Sequence, residues 1–285
     1  LRKKIIRSEK NLGFAGGNNL GFGARDPESR YVLLLNNDAV IRRDGLARLI
    51  EFAESNPSVG SVQGVVLRYG SNVIDTAGDF VSELLHVYPA GSGETYPWVL
   101  KKPIYVSYAN GSCVLYRVDA VKRCCGDKLF IDEFFGYGDD NVLGLILWSH
   151  GYSSVALNHV VAEHLGGASF GRRSVLSQYL SIRNMTALTH VVNSRLRRLF
   201  TLQIARSNIL CLIYGSCGYF TKAVLSGRRL GRVLRRRGLF IDLSKAPIIE
   251  IEPRYLPNAF MGKRLLRNYF KKWFIKNLRR LEVDE

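Results

Sequence analysis

Several short stretches of this chain carry residues of the right type and spacing for chemistry. Asp38 ends the triplet Asn36-Asn37-Asp38, directly after the apolar run YVLLL. Hard divalent cations want oxygen ligands, and a carboxylate leaving a buried strand can supply one, although on position alone such an acid more often caps a turn or helix. Asp139 and Asp140 stand side by side in FFGYGDDN, just ahead of an apolar helical pattern. Adjacent acids there can favour the helix dipole. Alternatively one points inward as a general base for a hydroxyl, with Phe134, Phe135 and Tyr137 as a platform for a sugar ring. His164, in AEHLGGAS, follows a predicted strand and precedes two glycines, so the chain there is exposed and sharply turned; a lone histidine is usually structural or solvated. The segment NLGFAGGNNLG, Asn11 to Gly21, reads as a glycine-rich loop whose backbone can approach a ligand closely.

The elements that must position these residues follow from periodicity. Tyr31 to Leu35 has the length of a buried parallel strand and places Asp38 at its carboxyl end. Asp44 can cap a helix carrying Leu46, Leu49, Ile50 and Ala53, which Asn56-Pro57 stops. Val59 to Leu67 reads as the next strand. Strand, helix and strand with short connections mark an α/β layer, in which ligands sit beyond the carboxyl ends of the strands. Residues 69 to 102 read as an irregular excursion with a hairpin. Tyr105 to Tyr116 then reads as a strand broken at Asn110-Gly111, Val142 to His150 as a helix, and Val155 to Val161 as a short strand. From about residue 175 the pattern turns helical: Tyr179 to Val192, Leu196 to Leu225, and Tyr255 to Leu281.

In this order the motifs resemble the family 2 inverting glycosyltransferases of GT-A fold, in particular the rhamnosyltransferase-like and galactofuranosyltransferase-like branch, over roughly residues 8 to 190. The resemblance rests on Asn11 to Gly21, on the DxD-like Asn36-Asn37-Asp38, and on IDTAGDF from Ile74. It rests further on NGSCVLYR from Asn110, on LFIDEFFGYGDD ending at Asp140, on His164 with Gly167 and Ser169, and on Tyr179 with Arg183-Asn184. It implies a Mg2+ or Mn2+ ion held by Asp38 and His164, and Asp140 as catalytic base with Asp139 its companion. It implies donor contacts from Asn11, Gly13, Gly16, Gly17, Asn18, Asn36, Asn37 and Asp38, and acceptor contacts from Gly111, Ser112, Phe135 and Tyr137. The implied reaction moves a sugar from a nucleotide-diphosphate sugar, dTDP-rhamnose or a UDP-sugar, to a hydroxyl of a glycan or lipid-linked acceptor, with inversion. The chain departs from the family pattern in lacking the opening strands that hold the nucleotide base, so that Leu1 to Ser8 reads as the third strand of an N-terminally truncated domain. Val142 and Ile146 also stand where the family carries an acid and an arginine. A catalytically inactive subunit or gene fragment is therefore the competing expectation.

Composition bounds these readings. The chain has 285 residues, 47% hydrophobic content and a net charge of +17. Residues 195 to 285 hold 21 Lys/Arg against 6 Asp/Glu, so the basic character belongs to that tail. The reading divides the chain into a catalytic domain, 1–194, and a basic helical extension, 195–285. Charge confined to the tail argues against a nucleic-acid-binding protein, and no nucleic-acid partner is expected. Arginine clusters interleaved with apolar runs suit helices lying on an anionic bilayer, with Phe270, Trp273 and Phe274 at the interface; the alternative is a helical cap with a solvated basic face. The five cysteines lack the spacing of a zinc site or disulfide framework, which fits a reducing cytoplasm. The expected location is the cytoplasmic face of a membrane, peripherally bound.

Overall fold

The computed structural model describes residues 4–166, 174–213, 218–261 and 263–283; Gly167 and Ser169 lie outside them. A mixed sheet forms the centre, in the order β1 (Tyr31–Leu35), β8 (Cys113–Arg117), β3 (Val59–Arg68), β9 (Ser153–His164), β2 (Ala39–Ile41). The short strands β4 (Ile74–Thr76) and β7 (Ile104–Tyr105) join it by pairing with β3 and β9. β3 and β9 run parallel, while β8 is antiparallel to both β1 and β3. β1, β3 and β9 therefore all deliver their carboxyl ends to one edge of the sheet. Nine consecutive residues of β3, Val59 to Leu67, are buried, as expected of a strand covered on both faces.

Helix α2 (Gly45–Ser55) lies on one face through Leu49 and Ala53, as its spacing predicts. Helices α3 (Val118–Cys125) and α4 (Asp139–Ser149) pack elsewhere on the layer, and the hairpin β5 (Asp79–Val81) and β6 (Val87–Pro89) falls inside the expected excursion. Helices α5 (Val175–Leu188), α6 (Arg197–Ile213), α7 (Gly218–Arg236), α8 (Leu256–Met261) and α9 (Arg267–Leu281) follow.

The structure corrects several expectations. Asn11 to Gly21 is not a loop: α1 runs from Gly13 to Gly23. Helix propensity disfavours so many glycines, but Ala15 and Phe22 bury fully against Val114, Tyr116 and Leu129, and packing overrides propensity. Lys4 to Ser8 form no strand, and every one of these residues is exposed. Residues 105 to 116 are not one interrupted strand, because β7 pairs with β9 whereas β8 pairs with β1 and β3. The helix expected from Val142 begins at Asp139, where Gly138, at φ 91°, turns the chain into it.

Of the aromatic residues expected at a membrane interface, Phe270 and Phe274 are instead interior and Trp273 is partly buried. Phe270 and Phe274 are fully buried, Phe274 stacks on Trp98, and Trp273 meets Phe80 edge-on. They share one core cluster with Val65, Leu67 and Ile74 of the sheet layer. Segment 195–285 thus packs onto the sheet, and backbone bridges Ser82 to Ile249 and Val192 to Ile241 bind it there.

Candidate active site

The shared carboxyl edge of β1, β3 and β9 gathers the expected residues. Asp38 follows β1, and β2 pairs Ala39 with His164, the last residue of β9. His164 Nε2 stands 3.2 Å from Oδ1 of Asp38, and its Nδ1 stands 2.9 Å from Oδ2 of Asp75. The backbone N–H of Leu165 donates to the Asp38 carbonyl at 2.9 Å, fixing the two chain segments to each other. Hydrogen bonding to Asp75, then the charges of Asp75 and Asp38, raise the His164 pKa against the opposing effect of burial. Asn36 Nδ2 lies 3.5 Å from His164 Nε2, so the amide of the triplet borders the same imidazole.

Asp75 is the residue that sequence reasoning did not assign. It lies inside IDTAGDF, so the stretch was visible. Its task was not, because pairing with residue 164 depends on the parallel register of β3 and β9, with Arg68 opposite His164.

Among the described residues no group of three or more His, Cys, Asp and Glu side chains is spaced to enclose a metal ion. Asp38 and His164 nonetheless form a partial set of hard oxygen and imidazole donors, steadied by Asp75. Such a set suits Mg2+ or Mn2+ when phosphate oxygens of a substrate supply further ligands.

The second carboxylate centre lies on the same edge of the sheet. Asp140 sits in the first turn of α4. Its Oδ2 accepts the backbone N–H of Gly111 at 3.0 Å, and its Oδ1 accepts that of Asn141 at 2.9 Å. Burial pushes its carboxyl up to about 6, with the Gly111 hydrogen bond opposing and the charge of Asp79 adding to the rise. Asp139 is 3% exposed, and burial with the neighbouring Asp140 charge pushes it up to about 7. Its Oδ1 is buried without a hydrogen-bond partner. Asp139 therefore faces the interior, and Asp140, partly accessible beside Gly111, is the carboxylate placed to meet a ligand.

The turn 110–112 joins the two centres. Asn110 Oδ1 accepts the N–H of Ser112 at 3.0 Å, and the Ser112 carbonyl accepts that of Asn36 at 3.0 Å. One turn thus touches both the base candidate and the cation triplet. Behind it the fully buried Asp79 accepts from Asn110 Nδ2 at 2.9 Å and from the Tyr108 hydroxyl at 2.8 Å. Gln63 Oε1 accepts the Asn110 N–H. A side chain at position 111 would begin 3.3 Å from the Phe14 ring and 3.5 Å from Asp140 Oδ2, so glycine keeps this approach open.

The aromatic loop before Asp140 is held in an uncommon backbone conformation. Phe135 and Tyr137 both have positive φ, 63° and 68°. Such residues persist only where surroundings over-determine them. Asn184 Nδ2 donates to the carbonyls of Phe134, Gly136 and Tyr137 at 3.1, 2.8 and 2.8 Å. Arg183 donates to the carbonyls of Glu133 and Phe134 at 2.6 and 2.7 Å. From the other side, the N–H groups of Phe14 and Ala15 at the start of α1 bond the Phe135 carbonyl.

Of the expected donor residues, Gly13 meets this loop, since a side chain there would run into the Phe135 carbonyl. Asn11 Oδ1 accepts the Gly13 N–H at 2.9 Å, and Asn18 Nδ2 donates to the Phe14 carbonyl. Gly16 packs on Leu12, and Gly17 faces open space. Asn19 anchors the Leu129 and Phe130 amides at 2.9 Å each.

Residues 1–124 match the family described as "Glycosyl transferase family 2". Among solved structures the chain is similar to GalNAc-T7, crystallised with UDP, GalNAc and Mn2+. That likeness has a TM-score of 0.54, 11% identity, and cover of 83% of this chain and 43% of that one. The chain thus spans less than half the length of that protein. No curated protein sequence matches it. The fold is GT-A, and family match and fold together support a glycosyltransferase.

Proposed function

We propose that the chain transfers a sugar from a cation-bound nucleoside diphosphate sugar to a hydroxyl of a glycan or lipid-linked acceptor, inverting the anomeric configuration. The observation that carries the proposal is the turn 110–112, which joins Asp140 on one side to the Asn36-Asn37-Asp38 triplet on the other. Asp38 and His164 would hold a divalent cation, Mg2+ or Mn2+, which when bound neutralises the leaving diphosphate. The Mn2+ and UDP of the similar GalNAc-T7 structure support that choice of group. Asp140 takes the proton of the acceptor hydroxyl as its oxygen attacks the anomeric carbon, while the bond from that carbon to the diphosphate oxygen breaks. Attack from the face opposite the diphosphate inverts the centre. Phe135 and Tyr137, fixed by Arg183 and Asn184, border the acceptor with Gly111 and Ser112. Asn11, together with Gly13, Gly16, Gly17 and Asn18 of α1, contributes on the donor side.

A peripheral position on the cytoplasmic face of a membrane belongs to the same proposal, and it rests on α7. Lys222, Leu225, Arg229, Arg232 and Arg236 are all exposed. They fall within one arc of about 80° on the helix. Ala223, Val224, Gly227, Gly231 and Leu234 face the interior. A cationic stripe with an exposed leucine suits an anionic bilayer, where a lipid-linked acceptor would reside. Among the described residues no helix is long and apolar enough to cross a membrane.

The deciding experiment titrates the purified chain with UDP-, dTDP- and GDP-sugars, with and without Mn2+, by calorimetry. Metal-dependent binding of one nucleotide supports the reading and identifies the donor, including dTDP-rhamnose as one candidate. Absence of binding to all of them points instead to an inactive subunit.

A further inference from the structure

The sheet has a second edge, where β3 and β9 begin, and a cavity of about 660 Å³ opens there. Ser153 lines it, whereas His164 lies at the other end of the same strand. At about 3.3 Å per residue, twelve residues of strand put the cavity roughly 35 Å from the cation candidates. It is therefore a separate site, and residues of the 195–285 segment build most of its outer wall.

Its lining has two chemical characters. Tyr105, Trp148 and Trp273 present partly exposed aromatic surface, with Tyr105 edge-on to Trp148 at 5.8 Å. Lys245 and Arg280 are exposed cations at the cavity, and neither has an ion-pair partner among the described residues. A third cation, Arg195, is neutralised. Its guanidinium forks onto buried Glu83, whose Oε2 also accepts the Ile251 N–H at 2.8 Å. That network fixes the wall; Asp242 is near enough to Lys245 for their charges to interact, but forms no direct ion pair with it, so Lys245 and Arg280 keep their N–H donors for a ligand. Glu250 is the remaining acid at the rim.

Aromatic faces beside a few convergent polar groups suit the flat, hydroxyl-rich surface of a sugar ring. Unpaired guanidinium and ammonium groups suit a carboxylate or phosphate. We infer that this cavity is a second saccharide site, which takes an anionic stretch of oligosaccharide held by Lys245 and Arg280 against Trp148 and Trp273. The class of ligand rests on the glycosyltransferase reading; the location of the site does not. A glycan long enough to touch both edges would be gripped away from the reacting hydroxyl, and a short acceptor would not.

The test measures binding of tetragalacturonate, maltose 1-phosphate and neutral cellotetraose to the full chain by calorimetry. It compares the native protein with Lys245→Glu/Arg280→Glu and with Asp38→Asn. Expected is binding of at least one of the anionic probes, weakened tenfold or more in the double variant and unchanged in Asp38→Asn. Which anionic probe binds distinguishes carboxylate from phosphate recognition. Mn2+-dependent nucleotide binding should survive in the double variant, with an unaltered melting temperature, and fail in Asp38→Asn, so the two readings fail separately. No binding of either anionic probe, equal binding by the double variant, or cellotetraose bound as tightly as the anionic probes would overturn the inference.

Discussion

Gly111 donates its backbone N–H to Oδ2 of Asp140 at 3.0 Å, from a position where a side chain would begin 3.3 Å from the Phe14 ring. The contact opposes the desolvation that otherwise raises the carboxyl, and it leaves the residue near 6, deprotonated at neutral pH yet basic enough to accept a proton. The Phe14 ring, close to where a side chain would begin, leaves room at position 111 for a small residue only.

Asp140→Asn should keep metal-dependent nucleotide binding while transfer falls by a factor on the order of 100 or more. In the native protein only the ionised carboxylate can act as base. The transfer rate should therefore rise as pH climbs through about 6 and level off above it, and that limb should vanish in the variant. Product formation followed across the pH range reads both effects.

His164 owes its orientation to Asp75 at 2.9 Å. Asp75→Asn should lower Mn2+ affinity on the order of 10- to 100-fold, as loss of a residue that orients a metal ligand does. Electron paramagnetic resonance of free Mn2+ reads this without turnover.

Asn184 is 1% exposed and donates to three loop carbonyls. Asn184→Ala leaves those acceptors short of partners and should cost about 1–3 kcal/mol in chemical denaturation. Release of the positive φ at Phe135 and Tyr137 should also raise the acceptor KM more than the donor KM.

A Cβ at Gly227 would lie 2.3 Å from the Arg183 carbonyl oxygen, and one at Gly231 lies 2.6 Å from that of Ala187. Gly227→Val should therefore push α7 off α5 and destabilise the protein by about 1–3 kcal/mol, the usual cost of overpacking. Arg183 belongs to the same α5 backbone, so activity should fall with stability in this variant, as a melting curve and a rate measured together would show.

Arg229→Glu, Arg232→Glu and Arg236→Glu combined should abolish co-sedimentation with phosphatidylserine vesicles, each lost cation being worth about 1 kcal/mol near an anionic surface. Nucleotide binding should be unchanged. Sedimentation equal to that of the native chain would remove the membrane from the proposal.

The sequence by itself determined several local elements, among them β1, α2, β3 and β9, and the expectation of which groups react. The apolar run Tyr31–Leu35 reads as a strand with Asp38 just beyond its end, and so it is. Yet β1 lies at the end of the sheet order, antiparallel to β8 and mostly half-buried, where the run predicts a buried parallel strand; the helix read from Val142 opens at Asp139. Long-range pairing was beyond the sequence. Asp75 reaches His164 only through the β3 and β9 register, Arg183 and Asn184 meet the aromatic loop from about fifty residues away, and α1 forms despite its glycines because Phe22 and Ala15 find a core. Phe270 and Phe274 show the same limit from the other side. An aromatic, basic helix has one pattern whether its apolar face meets lipid or protein, and only the packing on Phe80 and Trp98 decided it, since burial depends on which surface is nearest in space.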